Sequence, residues 1–136
     1  MAVSTAGAGT AADENVDTGG MCPSRLVMEH VTSRWAVLIL IRLLERPHRF
    51  GELRRSIRSI GQISEKMLAR TLQTLERDGF VHRDAKPVVP PHVDYSLTEL
   101  GHEAAEQIRM LALWSHDRMH QVQKSREMYD AAKGRP

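Results

Sequence analysis

The sequence has few of the residues that mark extracellular, membrane-spanning or metal-binding proteins. One cysteine in 136 residues excludes an internal disulfide framework, and no Cys/His cluster has the spacing of a structural zinc site. The longest unbroken apolar run is Trp35 to Ile41, far short of the roughly 20 residues that a membrane-spanning helix needs. We therefore expect one cytoplasmic domain with no metal, no cofactor and no membrane partner.

Aromatic residues are also scarce, at 4% of the chain, so the core must be built from aliphatic side chains and methionine. Residues 1–20 contain Asp13, Glu14 and Asp17 but no Lys or Arg, and they lack the basic start and apolar centre of a signal peptide. We predict a disordered tail over residues 1–20. Because the whole chain carries a net charge of +2, the remainder is more basic than this total suggests.

Motifs of common enzyme classes are missing. The sequence contains no GxxxxGK[ST] phosphate-binding loop, no HExxH zinc motif and no GxSxG nucleophile motif. A catalytic pair of Cys22 with a histidine would border the predicted tail, where a nucleophile is poorly preorganised. We therefore expect no enzymatic activity.

Apolar residues at helical spacing predict four helices before residue 80. The second is almost wholly apolar and stops before Pro47, which predicts a buried central helix, with a buried strand as the alternative. In the fourth, we expect the Ser64 side chain to accept from the N–H of Met67 and Gly79 to end the helix. The third and fourth, joined by a glycine-containing turn, are typical of a helix-turn-helix. The predicted helices are Ser24 to Val31, Trp35 to Leu44, Phe50 to Ile57 and Ser64 to Asp78.

Two β-type runs follow, Phe80 to Arg83 and Val93 to Leu97, with a proline-rich connection between them. The fold class we predict is mainly α with a small β-hairpin (α+β), a winged helix-turn-helix with flanking dimerisation helices. Its domain covers residues 21–128, including a terminal helix over residues 98–128, and residues 129–136 are expected to form a flexible tail.

A helix of about 30 residues is about 45 Å long, so part of its apolar face needs a partner chain. The predicted dimer-interface residues are Ile108, Leu111, Trp114, Met119 and Val122.

Basic residues are concentrated between Arg46 and Arg83, where nine Lys or Arg stand against four Asp or Glu. On a helical wheel, four polar side chains of the fourth helix lie opposite its leucines, and this pattern favours insertion into the major groove of DNA. There Arg recognises guanine and Gln recognises adenine. The alternative is a charged face that only contacts solvent. The predicted recognition-helix residues are Ser64, Lys66, Arg70, Gln73, Thr74 and Arg77, and the predicted backbone and wing contacts are Arg49, Arg54, Arg55, His82, Arg83 and Lys86.

Several spaced motifs resemble the HxlR-type winged-helix transcription regulators. They are Cys22-Pro23, Trp35, Arg49-Phe50-x-Glu52-Leu53-Arg54-Arg55, Ile63-Ser64-x-Lys66-Met67-Leu68, Leu75-Glu76-x-Asp78-Gly79 and Pro90-Pro91-x-Val93-x-Tyr95-Ser96-Leu97-Thr98-x-x-Gly101. The resemblance covers residues 22–114.

The resemblance implies a homodimer, joined through terminal helices, that binds inverted-repeat operators in double-stranded DNA. It also implies a recognition helix over Ser64 to Arg77 and a wing over His82 to Asp94. The spacer between Arg55 and Ser64 is longer than is usual in that family, which predicts an extended turn.

Cys22 corresponds to a family position that implies a redox or electrophile sensor. A thiolate is favoured near a helix N-terminus, and a single cysteine per chain restricts oxidation to an intersubunit disulfide, a mixed disulfide or a sulfenic acid. The alternative is an unreactive, apolar thiol. A small apolar effector bound at a Met-rich interface is a second candidate signal. The alternative function is a protein-interaction module that keeps the winged-helix fold without recognising DNA.

Overall fold

The computed structural model describes residues 22–134, which form six helices and a three-stranded antiparallel sheet. The mostly helical fold with a small sheet confirms the predicted class. The elements in chain order are α1 (Pro23–Val31), α2 (Arg34–Glu45), β1 (His48–Arg49), α3 (Phe50–Arg58), α4 (Glu65–Arg77), β2 (Val81–Lys86), β3 (His92–Leu97), α5 (Glu99–Asp117) and α6 (Met119–Ala132).

The core is aliphatic and centred on α2, which packs against α3, α4, α5 and β3. This confirms the prediction of a buried central helix. The largest fully buried side chains come from three helices, because each presents its apolar stripe to the same interior. They are Ile39, Leu40, Leu53, Ile57, Leu68, Leu72 and Leu75.

Local signals set both ends of α4. The Ser64 hydroxyl accepts a hydrogen bond from the Met67 N–H at 3.0 Å, as predicted. At the other end Gly79 adopts φ 88°, a left-handed conformation that glycine accepts without strain. The Gly79 N–H donates to the Glu76 carbonyl at 3.0 Å, and the Phe80 N–H donates to the Leu75 carbonyl at 2.9 Å. These two bonds form a Schellman motif and fix the direction in which the chain leaves the helix.

The sheet has one strand that the sequence pattern did not predict. β1 contains only two residues and pairs with β3 through His48 and Tyr95, so the strand order is β1-β3-β2. The hairpin strands also differ from their predicted bounds, since β2 runs through Lys86 and β3 starts at His92. The long connection is therefore shorter than predicted, and more of the wing is paired.

The predicted single terminal helix is interrupted. α5 and α6 meet at Arg118, whose φ of −100° and ψ of 3° depart from helical values. One turn earlier the Ser115 hydroxyl donates to the Ala112 carbonyl at 2.9 Å, a type of bond that often bends helices. The predicted end at residue 128 is also wrong, because α6 continues through Ala132 into the segment predicted as a flexible tail. The tail predicted over residues 1–20 lies outside the described residues.

The end of α4 is joined directly to the start of α5. The Thr98 N–H donates to the Phe80 carbonyl at 3.1 Å, and the Thr98 hydroxyl donates to the Gly79 carbonyl at 2.5 Å. Gly101 lies against this junction so closely that a Cβ atom there would overlap the Phe80 carbonyl oxygen. We call Gly79, Phe80, Thr98 and Gly101 the α4–α5 junction.

None of the helices between residues 22 and 134 combines the length and the apolar character needed to cross a membrane.

Candidate DNA-binding surface

α4 presents one apolar and one polar face. Leu68, Leu72 and Leu75 are buried in the core, whereas Lys66, Arg70, Gln73 and Arg77 are all exposed on the opposite side. Thr74 is half-buried beside them, and its hydroxyl donates to the Arg70 carbonyl at 3.2 Å. Ser64 is occupied as the helix cap. The structure therefore places five of the six predicted recognition-helix residues on or beside one surface, which we call the recognition face (Lys66, Arg70, Gln73, Thr74, Arg77).

The long side chains of this face are unengaged within the described part of the chain. Across residues 22–134 no hydrogen bond or ion pair involves the side-chain heads of Lys66, Arg70, Gln73 or Arg77. Three cations and a carboxamide are thus available on one helix surface. Arg and Gln are the side chains that make paired hydrogen bonds to base edges in the major groove.

Arg54, a predicted phosphate contact, is engaged within the chain. Its Nη1 donates to Glu65 Oε2 at 3.0 Å, and its side chain is only 32% exposed. It therefore ties α3 to the first residue of α4, whereas its neighbour Arg55 is exposed. Of these two predicted phosphate contacts, Arg55 is the one that the structure leaves open to solvent.

Arg49 lies at the N-terminus of α3, with its side chain exposed. Its backbone N–H donates to Glu52 Oε1 at 2.9 Å. This hydrogen bond and, to a smaller extent, the positive charge of nearby Arg46 lower the pKa of Glu52. The carboxylate thus fixes the entry into α3 while the Arg49 side chain projects to solvent, as its predicted role requires.

The wing carries His82, Arg83 and Lys86, all exposed. Because side chains alternate along a strand, His82 and Lys86 share one face of β2 and Arg83 lies on the other. The Lys86 Nζ lies 2.6 Å from Asp84 Oδ2. This hydrogen bond raises the pKa of Lys86 and lowers the pKa of Asp84. The structure therefore brings together two of the three predicted wing contacts, and it pairs Lys86 with a carboxylate.

Cys22 is the N-cap residue of α1, only 9% exposed, and its Sγ lies 3.6 Å from the Ser24 hydroxyl. At the other end of the same helix, His30 Nδ1 lies 2.6 Å from Asp78 Oδ2. Asp78 is the C-cap residue of α4. A nine-residue helix thus connects the thiol region with the end of α4, a link that no local sequence signal indicated.

The predicted dimer-interface residues divide into two groups. Leu111, Trp114, Met119 and Val122 are exposed by 39% to 59% along α5 and α6. The assignment of Ile108 to the dimer interface is corrected by the structure. Its side chain is 9% exposed and belongs to the core of its own chain, where α5 packs against α2. An apolar groove of about 340 Å³ adjoins this region between α1 and α5. Its lining includes Val27, Val31, Phe80 and Leu111.

Comparison with known proteins identifies relatives of this architecture. The model of the HxlR-like helix-turn-helix family matches residues 30–123. The uncharacterized HTH-type transcriptional regulator YtfH of Escherichia coli is 61% identical over 93 residues, which cover 68% of this chain and 71% of YtfH. The solved structure of a transcriptional regulator, ytfH, from Salmonella typhimurium has a TM-score of 0.71 at 53% identity, covering 79% of this chain and 93% of its own. The redox regulator HypR in its reduced form has a TM-score of 0.67 at 29% identity. The match covers 75% of this chain and 98% of the HypR chain.

Proposed function

Because this chain belongs to the HxlR-like helix-turn-helix family of transcriptional regulators, we propose that it binds an inverted-repeat operator as a homodimer. It acts in the cytoplasm by occupying DNA and not by catalysis. The two recognition helices of the dimer enter successive major grooves on one side of the duplex, so the half-sites lie about 34 Å apart.

The recognition face is the observation that carries this proposal. Its three cations and one carboxamide stand on a helix whose opposite side is locked into the core by Leu68, Leu72 and Leu75. A helix so anchored can hold its side chains in fixed positions against base edges. Arg49 and Arg55 are exposed at the start of and within α3, the helix that precedes α4, and we assign to them the contacts with flanking phosphates.

The exposed apolar side chains of α5 and α6 support the dimer. Leu111, Trp114, Met119 and Val122 recur at helical spacing and remain accessible in the single chain. Burying them against a second copy removes apolar surface from water, at a gain of about 25 cal/mol per Å². The same helices then set the distance between the two recognition faces.

Cys22 supports regulation by oxidation. It occupies the N-cap position of α1, where the helix dipole favours a thiolate. One structural relative is named a redox regulator. Oxidation of Cys22, to a disulfide with the partner chain or a small thiol or to a sulfenic acid, displaces the start of α1. The His30–Asp78 hydrogen bond then passes that displacement to α4.

In the first step of the test, the reduced protein is used to select the duplexes that it binds from a pool of random DNA sequences. Fluorescence anisotropy on a selected 40-base-pair duplex and on its scrambled version then measures affinity at two salt concentrations. We expect the protein to prefer the selected duplex and to bind it more weakly as the salt concentration rises. Lys and Arg side chains that contact phosphates release counterions from the DNA, which makes the affinity depend on salt. The double variant Arg70→Ala/Arg77→Ala should lose at least a hundredfold in affinity while its mass in solution stays that of the wild type.

The control variant is Arg126→Ala/Lys133→Ala, which removes two positive charges from α6 and its C-cap and none from α4. It should bind the selected duplex nearly as the wild type does. If selection enriches no sequence and every duplex binds alike, the protein is instead an interaction module with a winged-helix fold.

A further inference from the structure

Arg34 is supported by an aromatic ring at the start of α2. It is the first residue of that helix, and its guanidinium carbon lies 4.7 Å from the centroid of the Trp35 ring. Arg34 is exposed to solvent, whereas Trp35 is half-buried and packs against the core. The ring therefore gives the cation a fixed support, which an arginine on an open helix surface does not have.

The turn between α3 and α4, residues 59–64, lies against the same two side chains. A Cβ atom on Gly61 of this turn would lie 3.2 Å from the Trp35 ring and 3.4 Å from Arg34 Nη2. The turn can approach so closely because glycine has no side chain. The cation of Arg34 is thus held next to the segment that leads into α4.

The start of α2 also borders the recognition face. A recess of about 180 Å³ lies between the end of α1 and α4. Its lining includes Ser33, the residue before Arg34, together with Arg70 and Thr74 of the recognition face. Because Ser33 borders α4 and Gly61 leads into its first turn, Arg34 stands at the flank of this helix.

The charge of Arg34 is not neutralised by a carboxylate within residues 22–134. In that part of the chain no ion pair or hydrogen bond involves its guanidinium. Its N–H groups therefore remain available to an anion from outside the chain. Three other arginines do form ion pairs with glutamates, namely Arg25 with Glu29, Arg46 with Glu52 and Arg54 with Glu65.

We propose that Arg34 donates to a phosphate of the DNA backbone beside the major groove that α4 enters, with Trp35 and Gly61 holding it in position. This proposal rests on the proposed function and adds a residue to its DNA-binding surface. A planar guanidinium can bind two phosphate oxygens at once. Because the ring already restricts the Arg34 side chain, less conformational freedom is lost on binding.

A duplex suits this cation better than a free anion does. One arginine that is open to solvent binds a free anion only weakly. A duplex already bound at the recognition face, however, brings its phosphates to Arg34 at a high effective concentration. Phosphate contacts fix the register of a protein on DNA and carry no sequence information. Arg34 therefore has a different role from Arg70, which faces the base edges.

The first test measures affinity for the selected duplex by anisotropy at several salt concentrations. We expect Arg34→Ala to weaken binding about tenfold or more, because a charge-assisted hydrogen bond is lost. The slope of log affinity against log salt should fall by about two units, one for each protomer of the proposed dimer. The ratio of affinities for the selected and scrambled duplexes should stay that of the wild type, whereas Arg70→Ala should reduce this ratio.

Two further variants serve as controls. Arg25→Ala removes an exposed arginine of α1 that is paired with Glu29 at 4.0 Å, and it should leave affinity and slope nearly unchanged. Arg34→Lys keeps the charge but loses the planar fork, so it should keep the slope and bind more weakly than the wild type. Circular dichroism checks that each variant is folded.

A second test identifies the contacted phosphate. Wild type and Arg34→Ala are compared on selected duplexes in which single phosphates are replaced by uncharged methylphosphonates. We expect one replacement in each half-site to weaken the wild type and to have no effect on the variant. Every other sensitive position should affect both proteins. A purely structural role of Arg34 would not abolish the effect at one particular phosphate.

Gly61→Ala tests whether the turn positions the arginine. The added methyl group would press on the Trp35 ring and on the guanidinium. We expect it to weaken binding when Arg34 is present and to have little further effect in Arg34→Ala, because the two residues act as one unit. Additive losses would overturn the positioning role of the turn.

An Arg34→Ala protein with the wild-type salt slope would overturn the proposal and leave the proposed function in place. The same holds if every phosphate replacement weakens the variant as it weakens the wild type. If the wild type prefers no duplex, the proposed function itself fails, and the inference fails with it.

Discussion

His30 and Asp78 join the last turn of α1 to the C-cap of α4 through a 2.6 Å hydrogen bond between Nδ1 and Oδ2. Both side chains are largely shielded, at 24% and 12% exposure. The bond holds two helices that are distant in sequence in one orientation. We therefore expect a movement of α1 to act on α4 at Asp78, the residue that ends this helix.

Removal of this bond should affect both stability and DNA binding. We expect His30→Ala to lower the free energy of unfolding by about 1 kcal/mol, the usual contribution of such a bond, and to weaken DNA binding although His30 lies outside the recognition face. Urea unfolding and anisotropy measure the two effects. Glu29→Ala is the control, because its 4.0 Å ion pair with Arg25 is exposed and should contribute little. Equal stability of both variants would deny that the bond fixes α1.

Substitutions on α5 should separate assembly from folding. We expect Trp114→Glu to yield a folded monomer with weak operator affinity, because its side chain is 56% exposed in the single chain. Ile108→Glu should instead prevent folding, since it places a charge in the core. Sedimentation and circular dichroism distinguish the two outcomes. A Trp114→Glu protein that remains dimeric would place the interface elsewhere.

Gly101→Ala should strongly destabilise the protein. The added methyl group would overlap the Phe80 carbonyl, which is itself held by the Thr98 N–H, so the α4–α5 junction must open. We expect a loss of several kcal/mol, of the size associated with overpacking and a broken hydrogen bond. Gly51→Ala is the matched control. Its Cβ would meet only the end of the Arg55 side chain at 3.5 Å, and within α3 alanine is favoured over glycine. Thermal melts of both variants test the contrast.

Oxidation should weaken operator binding in the wild type and not in Cys22→Ser. Mild treatment with diamide or peroxide, followed by anisotropy and mass spectrometry, shows whether binding is lost and which adduct forms. Because Cys22 is only 9% exposed, we expect the reaction to be slow until α1 loosens at its start. Indifference of binding to oxidation would favour an apolar effector in the groove between α1 and α5.

Local signals were sufficient to predict α4 and its ends. The Ser64 cap acts on Met67 three residues away, and Gly79 follows the helix directly, so both effects are encoded within one turn. The polar face of α4 was predictable for the same reason, because helical spacing alone places Arg70 and Arg77 opposite the leucines.

Contacts between distant residues were not predictable in this way. β1 is defined by its pairing with Tyr95 and Asp94 of β3, and the His30–Asp78 bond spans 48 positions. The interruption at Arg118 has no glycine or proline to signal it. Ile108 was assigned to the interface because periodicity shows which face of a helix is apolar, but not how much of that face its own chain covers.

The α4–α5 junction should fix the spacing between half-sites that the proposed dimer accepts. With the recognition helix fastened to the start of the helix that leads to the predicted interface, neither can turn alone. Adding one base pair between half-sites rotates one of them by about 35° around the duplex axis. The proposed dimer could follow this rotation only by breaking the junction or by repacking its interface. Operators should consequently tolerate changes of base more readily than changes of length.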